Sequence, residues 1–170
     1  MITLTEMASV LTKTALVIPM ASREAIEKAA GIVLEQIKSE PGDYQTGAAP
    51  FASWAPLAES TLADKARQGW PSPSPELRSG ELRDSYEATI ISNHEAQVGS
   101  NSDIAVWQEL GTSKMPPRSI IGLAGAKKER EIYEETGRLF YGVLTSTYRL
   151  GGFHNWAGGG TRTPVGNAAP

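Results

Sequence analysis

Two histidines are the side chains in this chain best suited to acid–base chemistry or metal binding. His94 falls in a predicted turn and His154 lies near the C-terminus. Neither has a carboxylate at a spacing typical of metal ligands. The chain contains no cysteine, which excludes disulfides, thiolate metal sites and a cysteine nucleophile. We therefore expect no metal and no cofactor.

The remaining candidates for catalysis are weak. Glu131, Glu134 and Glu135 fall on the polar side of a predicted amphipathic helix, where a solvated face explains them better than acid–base chemistry. The serines form no GxSxG motif, and a Ser-His-Asp triad can be neither built nor excluded from sequence because it assembles in space. The glycine run 158–160 lacks the lysine and the following helix of a phosphate-binding loop. We expect no catalytic residue, with a small hydrolytic enzyme as the alternative.

A short basic loop, residues 111–118, is the strongest candidate for recognition. Gly111 is expected to end a helix, and the two prolines of the loop restrict its backbone, so that Lys114 and Arg118 project from a stiff segment. A stiff loop loses little entropy on docking. Two other interpretations stay open: a plain connector, or an Arg118 paired internally with Glu109 or a backbone carbonyl. The interface candidates from this loop are Lys114, Met115, Pro116, Pro117 and Arg118.

Two long helices are predicted to frame the domain. Apolar residues recur at three- and four-residue steps over residues 22–39, after a possible N-cap at Ser22, and again over residues 126–145. A separate amphipathic helix over residues 5–18 is predicted to stop at Pro19. Shorter helices are predicted over residues 59–68 and 104–110.

A β-hairpin is predicted between these helices. Residues 84–92 and 95–100 alternate as strands do, and Asn93 and His94 form the turn. The expected fold class is α+β, with an antiparallel β-sheet packed against the two long helices, long loops and an extended C-terminal tail. The predicted core contains Ile26, Ala30, Val33, Ile37, Leu82, Ile90, Val98, Leu139 and Val143.

The chain is expected to form one domain over residues 1–148, followed by a glycine-rich tail over residues 149–170. Phe153 and Trp156 are unusual in such a tail, because exposed aromatic side chains gain nothing there without a partner. The loop over residues 41–52 is long for a compact domain. We therefore predict that this loop, the 114–118 loop and the tail aromatics make contacts with other molecules.

Charge and hydropathy limit the partners. The net charge is −3 and no block of Lys or Arg is long enough for tight nucleic-acid binding. The first twenty residues lack a basic n-region and contain Glu6 and Lys13, so they predict neither a secretory signal nor a membrane span. Synthesis in the cytoplasm, with no membrane contact, is the expectation.

Four motifs in order resemble one known family. They are Trp54-Ala55-Pro56-Leu57 with Ser60-Thr61 and Lys65; Leu77-Arg78-Ser79-Gly80-Glu81-Leu82-Arg83-Asp84-Ser85; Val98-Gly99-Ser100; and Gln108-Glu109-Leu110-Gly111-Thr112 with Met115-Pro116-Pro117-Arg118. Over residues 54–118 the chain is similar to the phage neck and tail-completion proteins typified by the HK97 gp10-like, virion-morphogenesis proteins. It departs from them after Arg118, where Ser119-Ile120-Ile121 replaces a proline–aromatic pair.

The resemblance implies a non-enzymatic structural protein of a tailed-phage virion, located at the head–tail junction and made in the host cytoplasm. It implies a homo-oligomeric ring, for which six-fold symmetry is favoured over twelve-fold. The implied partners are connector or head-completion proteins and tail proteins, with DNA passing through the lumen without specific binding. Trp54 joins the interface candidates through this resemblance. A monomeric binding module that uses its tail is a further alternative.

Overall fold

The computed structural model describes residues 3–150, and side-chain surroundings for residues 3–145. Five helices and one hairpin follow each other along this part of the chain. In order they are α1 (Leu4–Ser39), α2 (Glu59–Gln68), α3 (Glu81–Asp84), β1 (Glu87–Ser92), β2 (Glu95–Gly99), α4 (Asp103–Leu110) and α5 (Ile121–Leu150).

The first helix, α1, is one continuous helix of 36 residues rather than two. It begins with a capping box, in which the Glu6 amide donates to the Thr3 hydroxyl at 3.2 Å and the Thr3 amide donates to the Glu6 carboxylate at 2.9 Å. The prediction that Pro19 ends a helix is wrong, because Pro19 lies inside α1, and so does Ser22, the predicted N-cap. Pro19 removes one hydrogen bond to the exposed Ala15 carbonyl, which water can replace, while the periodic segments on both sides continue the helix.

The two long helices, α1 and α5, pack against each other in opposite directions. Near one end Lys127 contacts Glu40 at 3.2 Å, and further along Lys28 contacts Glu135 at 2.9 Å. Residues late in α1 thus lie beside residues early in α5, so the two helices are antiparallel. The α5 helix begins at Ile121, five residues before the predicted start, because a distant carboxylate supplies its N-terminal hydrogen bonds, as described below.

The hairpin has two antiparallel strands, in which Ala88 pairs with Val98 and Ile90 with Ala96. These four residues are half-buried, whereas their strand neighbours Glu87, Thr89, Glu95 and Gln97 are exposed. The half-buried face lies against α1. The α+β class is confirmed at the level of mixed helix with a small antiparallel sheet. The first strand begins at Glu87 and not at Asp84 as predicted, because Asp84 belongs to the helical turn α3.

The core lies at the end of the molecule where α1 finishes and α5 begins. Its buried members are Ile37, Trp54, Tyr86, Ala105, Ile120, Leu123 and Ala124. Ala30 and Ile37 are the predicted core residues that are fully buried, and the other seven are half-buried. The sequence missed the contribution of the loops, which supply Trp54, Tyr86 and Ile120.

The opposite end of α1 is mostly exposed. Across residues 4–20, which we call the N-terminal arm, Val10 is buried, Thr14 is half-buried and the others are exposed. An 18-residue window of α1 reaches a mean hydropathy of 1.2, so by length and composition α1 could cross a membrane. Core helices and signal sequences meet the same criterion, and we assign no membrane span to it.

Candidate interface groove

The end of the molecule that holds the motif residues is organised by Glu109 of α4. Its carboxylate accepts hydrogen bonds from the amides of Ile120, Ile121 and Gly122 at 2.7, 3.0 and 3.0 Å, and from the Ser119 hydroxyl at 2.5 Å. Those amides open α5 and would otherwise lack acceptors. A negative charge is also favoured by the helix dipole at this position. Glu109 therefore acts as the N-terminal cap of α5 from twelve residues before its first residue, Ile121.

Arg118 is buried and ties two loops together. Its guanidinium donates to the carbonyl oxygens of Ala55 and Pro56 at 3.1 and 3.3 Å. Its amide donates to the Gln108 carbonyl at 2.7 Å. Beside it, the Trp54 indole donates to the Ser119 carbonyl at 3.0 Å. The hydrogen bonds of Arg118 are thus made within the chain, to backbone carbonyls, which agrees with the internal interpretation left open from the sequence and not with a side chain that projects from the loop.

Lys65 holds the proline-rich segment that follows α2. It is 2% exposed, and its ammonium donates to the carbonyl oxygens of Pro71 and Leu77, each at 2.7 Å, and to that of Ser74. An ammonium has three N–H donors, and all three are used here. Prolines cannot supply backbone donors, so this segment cannot build regular structure for itself. One lysine organises it instead.

The loops held in this way enclose a groove of about 830 Å³. We call it the interface groove, and its apolar lining comes from loops, from α3 and from α4: Pro56, Leu57, Leu82, Ile104, Trp107, Met115 and Pro116. Ile104 and Trp107 are about half exposed. A predominantly apolar groove with a few polar groups is the usual form of a binding site in proteins.

The polar groups of the groove include Glu76 and Gln108. Both carboxylate oxygens of Glu76 and the side-chain oxygen of Gln108 are buried without a hydrogen-bond partner in the described residues. Burial raises the pKa of Glu76 to about 8; Arg118 opposes this, whereas Glu109 and Glu40 add to it. Glu76 also adopts a positive φ of 58°, which is uncommon outside glycine. At neutral pH Glu76 is mainly a neutral acid.

A second buried carboxylate, Glu40, lies where α1 ends. Gln36 and Lys127 donate to one of its oxygens, each at 3.2 Å, and Lys127 also donates to the Gln45 side chain at 2.7 Å. Burial raises the pKa of Glu40, and the bonds from Gln36 and Lys127 act against that rise. This network fixes the start of the 41–52 loop onto both long helices.

The predicted interface residues fall into three groups. Trp54 and Arg118 are buried, so the expectation that they present contact surfaces is corrected: burial lets them bond to backbone carbonyls that the loops leave unpaired. Lys114, Pro116 and Pro117 are exposed, Met115 is half-buried, and all of these except Pro117 line the groove. Phe153 and Trp156 lie outside the described residues.

Sequence reasoning missed Ile104, Trp107 and Glu76 as groove residues. The short α4 carries apolar residues on every side, and Ile104, Val106, Trp107 and Leu110 are all at least half exposed or nearly so. This excess of apolar residues in a short helix was the available signal, because a helix that packs on one side cannot bury residues on all its faces. For Glu76 the sequence held no signal.

The two histidines are the side chains best suited to metal binding or acid–base chemistry. His94 is exposed in the hairpin turn, and His154 lies outside the described residues. Within residues 3–150, no group of three or more potential metal ligands is placed to hold an ion. Comparisons with protein-family models, with curated proteins and with solved structures found no match for this chain.

Proposed function

We propose that this protein is a structural subunit of a tailed-phage virion that forms a ring at the head–tail junction, as a neck or tail-completion protein joining the connector to the tail. One observation carries the proposal. A single copy has two different apolar surfaces, the N-terminal arm and the interface groove, at opposite ends of α1. A closed ring needs two such different surfaces on each subunit.

The residues of the motifs that resemble those of phage neck proteins support this assignment by the contacts they make. Lys65 and Arg118 donate hydrogen bonds to backbone carbonyls of neighbouring loops, and Glu109 accepts hydrogen bonds from backbone amides. Such bonds shape a surface and leave no reactive group exposed. This use of polar residues suits an assembly protein, whose surface must be held in one form before docking.

The charge of the chain fits a ring that DNA crosses. With a net charge of −3 and no long block of Lys or Arg in the sequence, a lumen lined by this protein would hold phosphates weakly and let the genome pass. Salt-sensitive duplex binding in the sub-micromolar range by the isolated protein would count against this part of the proposal.

The test is the mass of the purified full-length protein in solution. Native mass spectrometry and sedimentation over a wide concentration range should give a closed multiple of 18.2 kDa, with six copies expected and twelve as the alternative. Electron-microscopy class averages should show the symmetry directly. A protein that stays monomeric at its highest soluble concentration and is missing from virions would overturn the proposal in favour of a monomeric binding module.

A further inference from the structure

The N-terminal arm carries an apolar stripe on one side. Leu4, Met7, Leu11 and Ile18 recur at steps that place them on one face of a helix, and all four are exposed. The charged residues of the arm, Glu6 and Lys13, fall on the other side of the helix. Scattered apolar residues are ordinary on a protein surface, but four exposed apolar residues aligned on one face of a helix indicate a site of association.

The interface groove offers a complementary surface. Ile104 and Trp107 line it with half of their surface exposed, and Leu57 and Met115 complete an apolar lining. Its volume of about 830 Å³ is sufficient for several large side chains. An amphipathic helix lying in an apolar groove is a common recognition mode, and its anchors recur at i, i+3 and i+7, as Leu4, Met7 and Leu11 do.

An arm cannot fill the groove of its own chain. Met7 precedes Ile37 by thirty residues of unbroken helix, and Ile37 lies in the core beside the loops that form the groove. At 1.5 Å per residue the two positions are about 45 Å apart. The helix cannot fold back on itself over that length, so an arm in a groove must come from another molecule.

We infer that the N-terminal arm of one copy lies in the interface groove of the next, with the Leu4, Met7, Leu11 and Ile18 stripe against Ile104 and Trp107. This inference rests on the proposed ring and adds the two surfaces that make its contact. The contact is head-to-tail, so each subunit uses its arm once and its groove once, and repetition by rotation closes the ring. Glu6 and Lys13 stay in water on the outer side of the docked helix.

Cysteine cross-linking tests this contact directly, because the chain has no cysteine of its own. Purified Met7→Cys and Ile104→Cys proteins are mixed and oxidised, and a mixed covalent dimer is expected. Leu16→Cys and Ile91→Cys provide matched controls, since Leu16 is 71% and Ile91 is 52% exposed but neither belongs to the stripe or the groove. The control mixtures should give at most a tenth of the cross-linked product.

Charge substitutions test the same contact at equilibrium. Leu11→Glu and Ile104→Glu should each weaken subunit association at least tenfold, as measured by sedimentation. Leu16→Glu and Ile91→Glu should change it less than twofold. Melting curves of all four variants confirm that the subunit remains folded.

Three outcomes would overturn the inference, and they separate it from the proposed ring. A ring in which Met7→Cys cross-links to itself, and not to Ile104→Cys, would mean that arms pair with arms. A ring whose mass is unchanged by Leu11→Glu would mean that other surfaces make it. A monomer that binds vesicles of phosphatidylcholine and phosphatidylglycerol, and loses that binding with Leu11→Glu, would mean that the arm is a lipid anchor and that the proposed function also fails.

Discussion

The two ends of α1 lie in opposite surroundings. At its C-terminal end Ile37 is completely buried, and the neighbouring stretches, residues 41–80 and 100–120, which contain loops together with α2 and α4, are tied together by buried charged side chains. We call these two stretches the loop cluster. At its N-terminal end the arm keeps Leu4, Leu11 and Leu16 more than half exposed. One helix thus links a region that is held by many hydrogen bonds between side chains and backbone with a region whose apolar side chains are mostly exposed.

The two regions should therefore affect different properties: the loop cluster affects the stability of the subunit, and the arm affects association between subunits. In the loop cluster, Lys65, Glu109 and Arg118 bond to part-buried backbone groups for which the described residues provide no other partner, so removing any of these side chains leaves those groups unpaired. In the arm, removing an apolar side chain leaves little buried surface uncovered. Substitutions of Lys65, Glu109 or Arg118 should therefore destabilise the subunit, and substitutions in the arm should leave it folded but change how it associates.

The largest loss of stability is expected for Glu109→Gln. The shape of the side chain is kept, but one acceptor oxygen becomes an amide donor facing the backbone amides of Ile120, Ile121 and Gly122. The charge that favours the α5 N-terminus is lost as well. We expect a loss of about 3–5 kcal/mol in the free energy of unfolding, measured by urea denaturation.

The matched control is Glu134→Gln on the exposed side of α5, where Glu134 pairs with Arg130. An exposed pair of this kind contributes at most about 0.5–1 kcal/mol. If Glu109→Gln destabilised the protein no more than this control does, α5 would not depend on Glu109 for its start, and the loop cluster would be less tightly organised than its bonds indicate.

Lys65→Met should cost somewhat less, about 2–4 kcal/mol. Methionine keeps most of the volume and removes the donors to the carbonyls of Pro71, Ser74 and Leu77, although the removal of a buried charge offsets part of the loss. Thermal and urea unfolding measure the change, with Lys128→Met, an exposed partner of Glu131, as the control. Equal stability of the two variants would show that the proline-rich segment holds its shape without Lys65.

Periodic segments were predictable from sequence, and the loop cluster was not. The apolar repeats over residues 22–39 and 126–145 predicted the α1 and α5 pair, and alternation predicted the hairpin, because both signals are local. Pro19 was misread because the cost of a proline inside a helix, about 3 kcal/mol, can be offset by helical segments that continue on both sides of it. The helix boundary that it seemed to mark does not exist.

The candidate site was only partly accessible for a related reason. The sequence indicated the 114–118 loop through its glycine and prolines, but the direction of Arg118 depends on carbonyls sixty residues earlier, at Ala55 and Pro56. Glu109 reaches ten residues forward in the same way. Hydrogen bonds between residues far apart in the sequence produce no periodic pattern. The sequence could therefore not decide between an internal and an intermolecular role for Arg118.

Two glycines of α5 offer a comparison within one helix. A Cβ at Gly122 would lie 2.3 Å from the Phe51 ring, whereas a Cβ at Gly125 would meet nothing within 4 Å. Gly122→Ala should therefore destabilise the subunit by about 1–3 kcal/mol. Gly125→Ala should stabilise it by roughly 0.5–1 kcal/mol, because alanine favours the helix. Thermal melts of both variants test whether the 41–52 loop is packed where Phe51 lies; a neutral Gly122→Ala would contradict that packing.

Glu76→Gln should stabilise the subunit in a pH-dependent way. The pKa of Glu76 is about 8 in the folded chain against 4.5 as its ordinary value, so the folded state binds more protons between these limits. Stability from this group is therefore greatest at low pH and falls as the pH rises towards about 8. Glutamine resembles the neutral acid, so its advantage over wild type should grow to roughly 1–3 kcal/mol at pH 8.

The charged groups that act on Glu76 are Arg118, Glu109 and Glu40, and all three are present in both proteins, so the comparison isolates the loss of the Glu76 charge. Urea unfolding at pH 5 and pH 8 measures the difference. The exposed Glu87→Gln in the hairpin is the control and should show no such trend. A constant difference between wild type and Glu76→Gln at the two pH values would show that the Glu76 carboxylate reaches water.

The smallest effect on the free energy of unfolding is expected in the arm. It is the most direct test of the difference between the two ends of α1. Leu11→Ala should change the unfolding free energy of the isolated subunit by no more than about 0.5 kcal/mol, because Leu11 is exposed and alanine is the better helix former. Ile37→Ala, in the same helix, should cost about 2–5 kcal/mol because Ile37 is fully buried.

Concentration then separates the two regions. Association stabilises the folded state by mass action, so the melting temperature of the wild-type protein should rise with its concentration. Leu11→Ala should flatten that rise while matching wild type at high dilution, and Ile37→Ala should lower the melting temperature at every concentration. Should Leu11→Ala already destabilise the dilute monomer as Ile37→Ala does, the arm would be part of the fold rather than a surface for a neighbour.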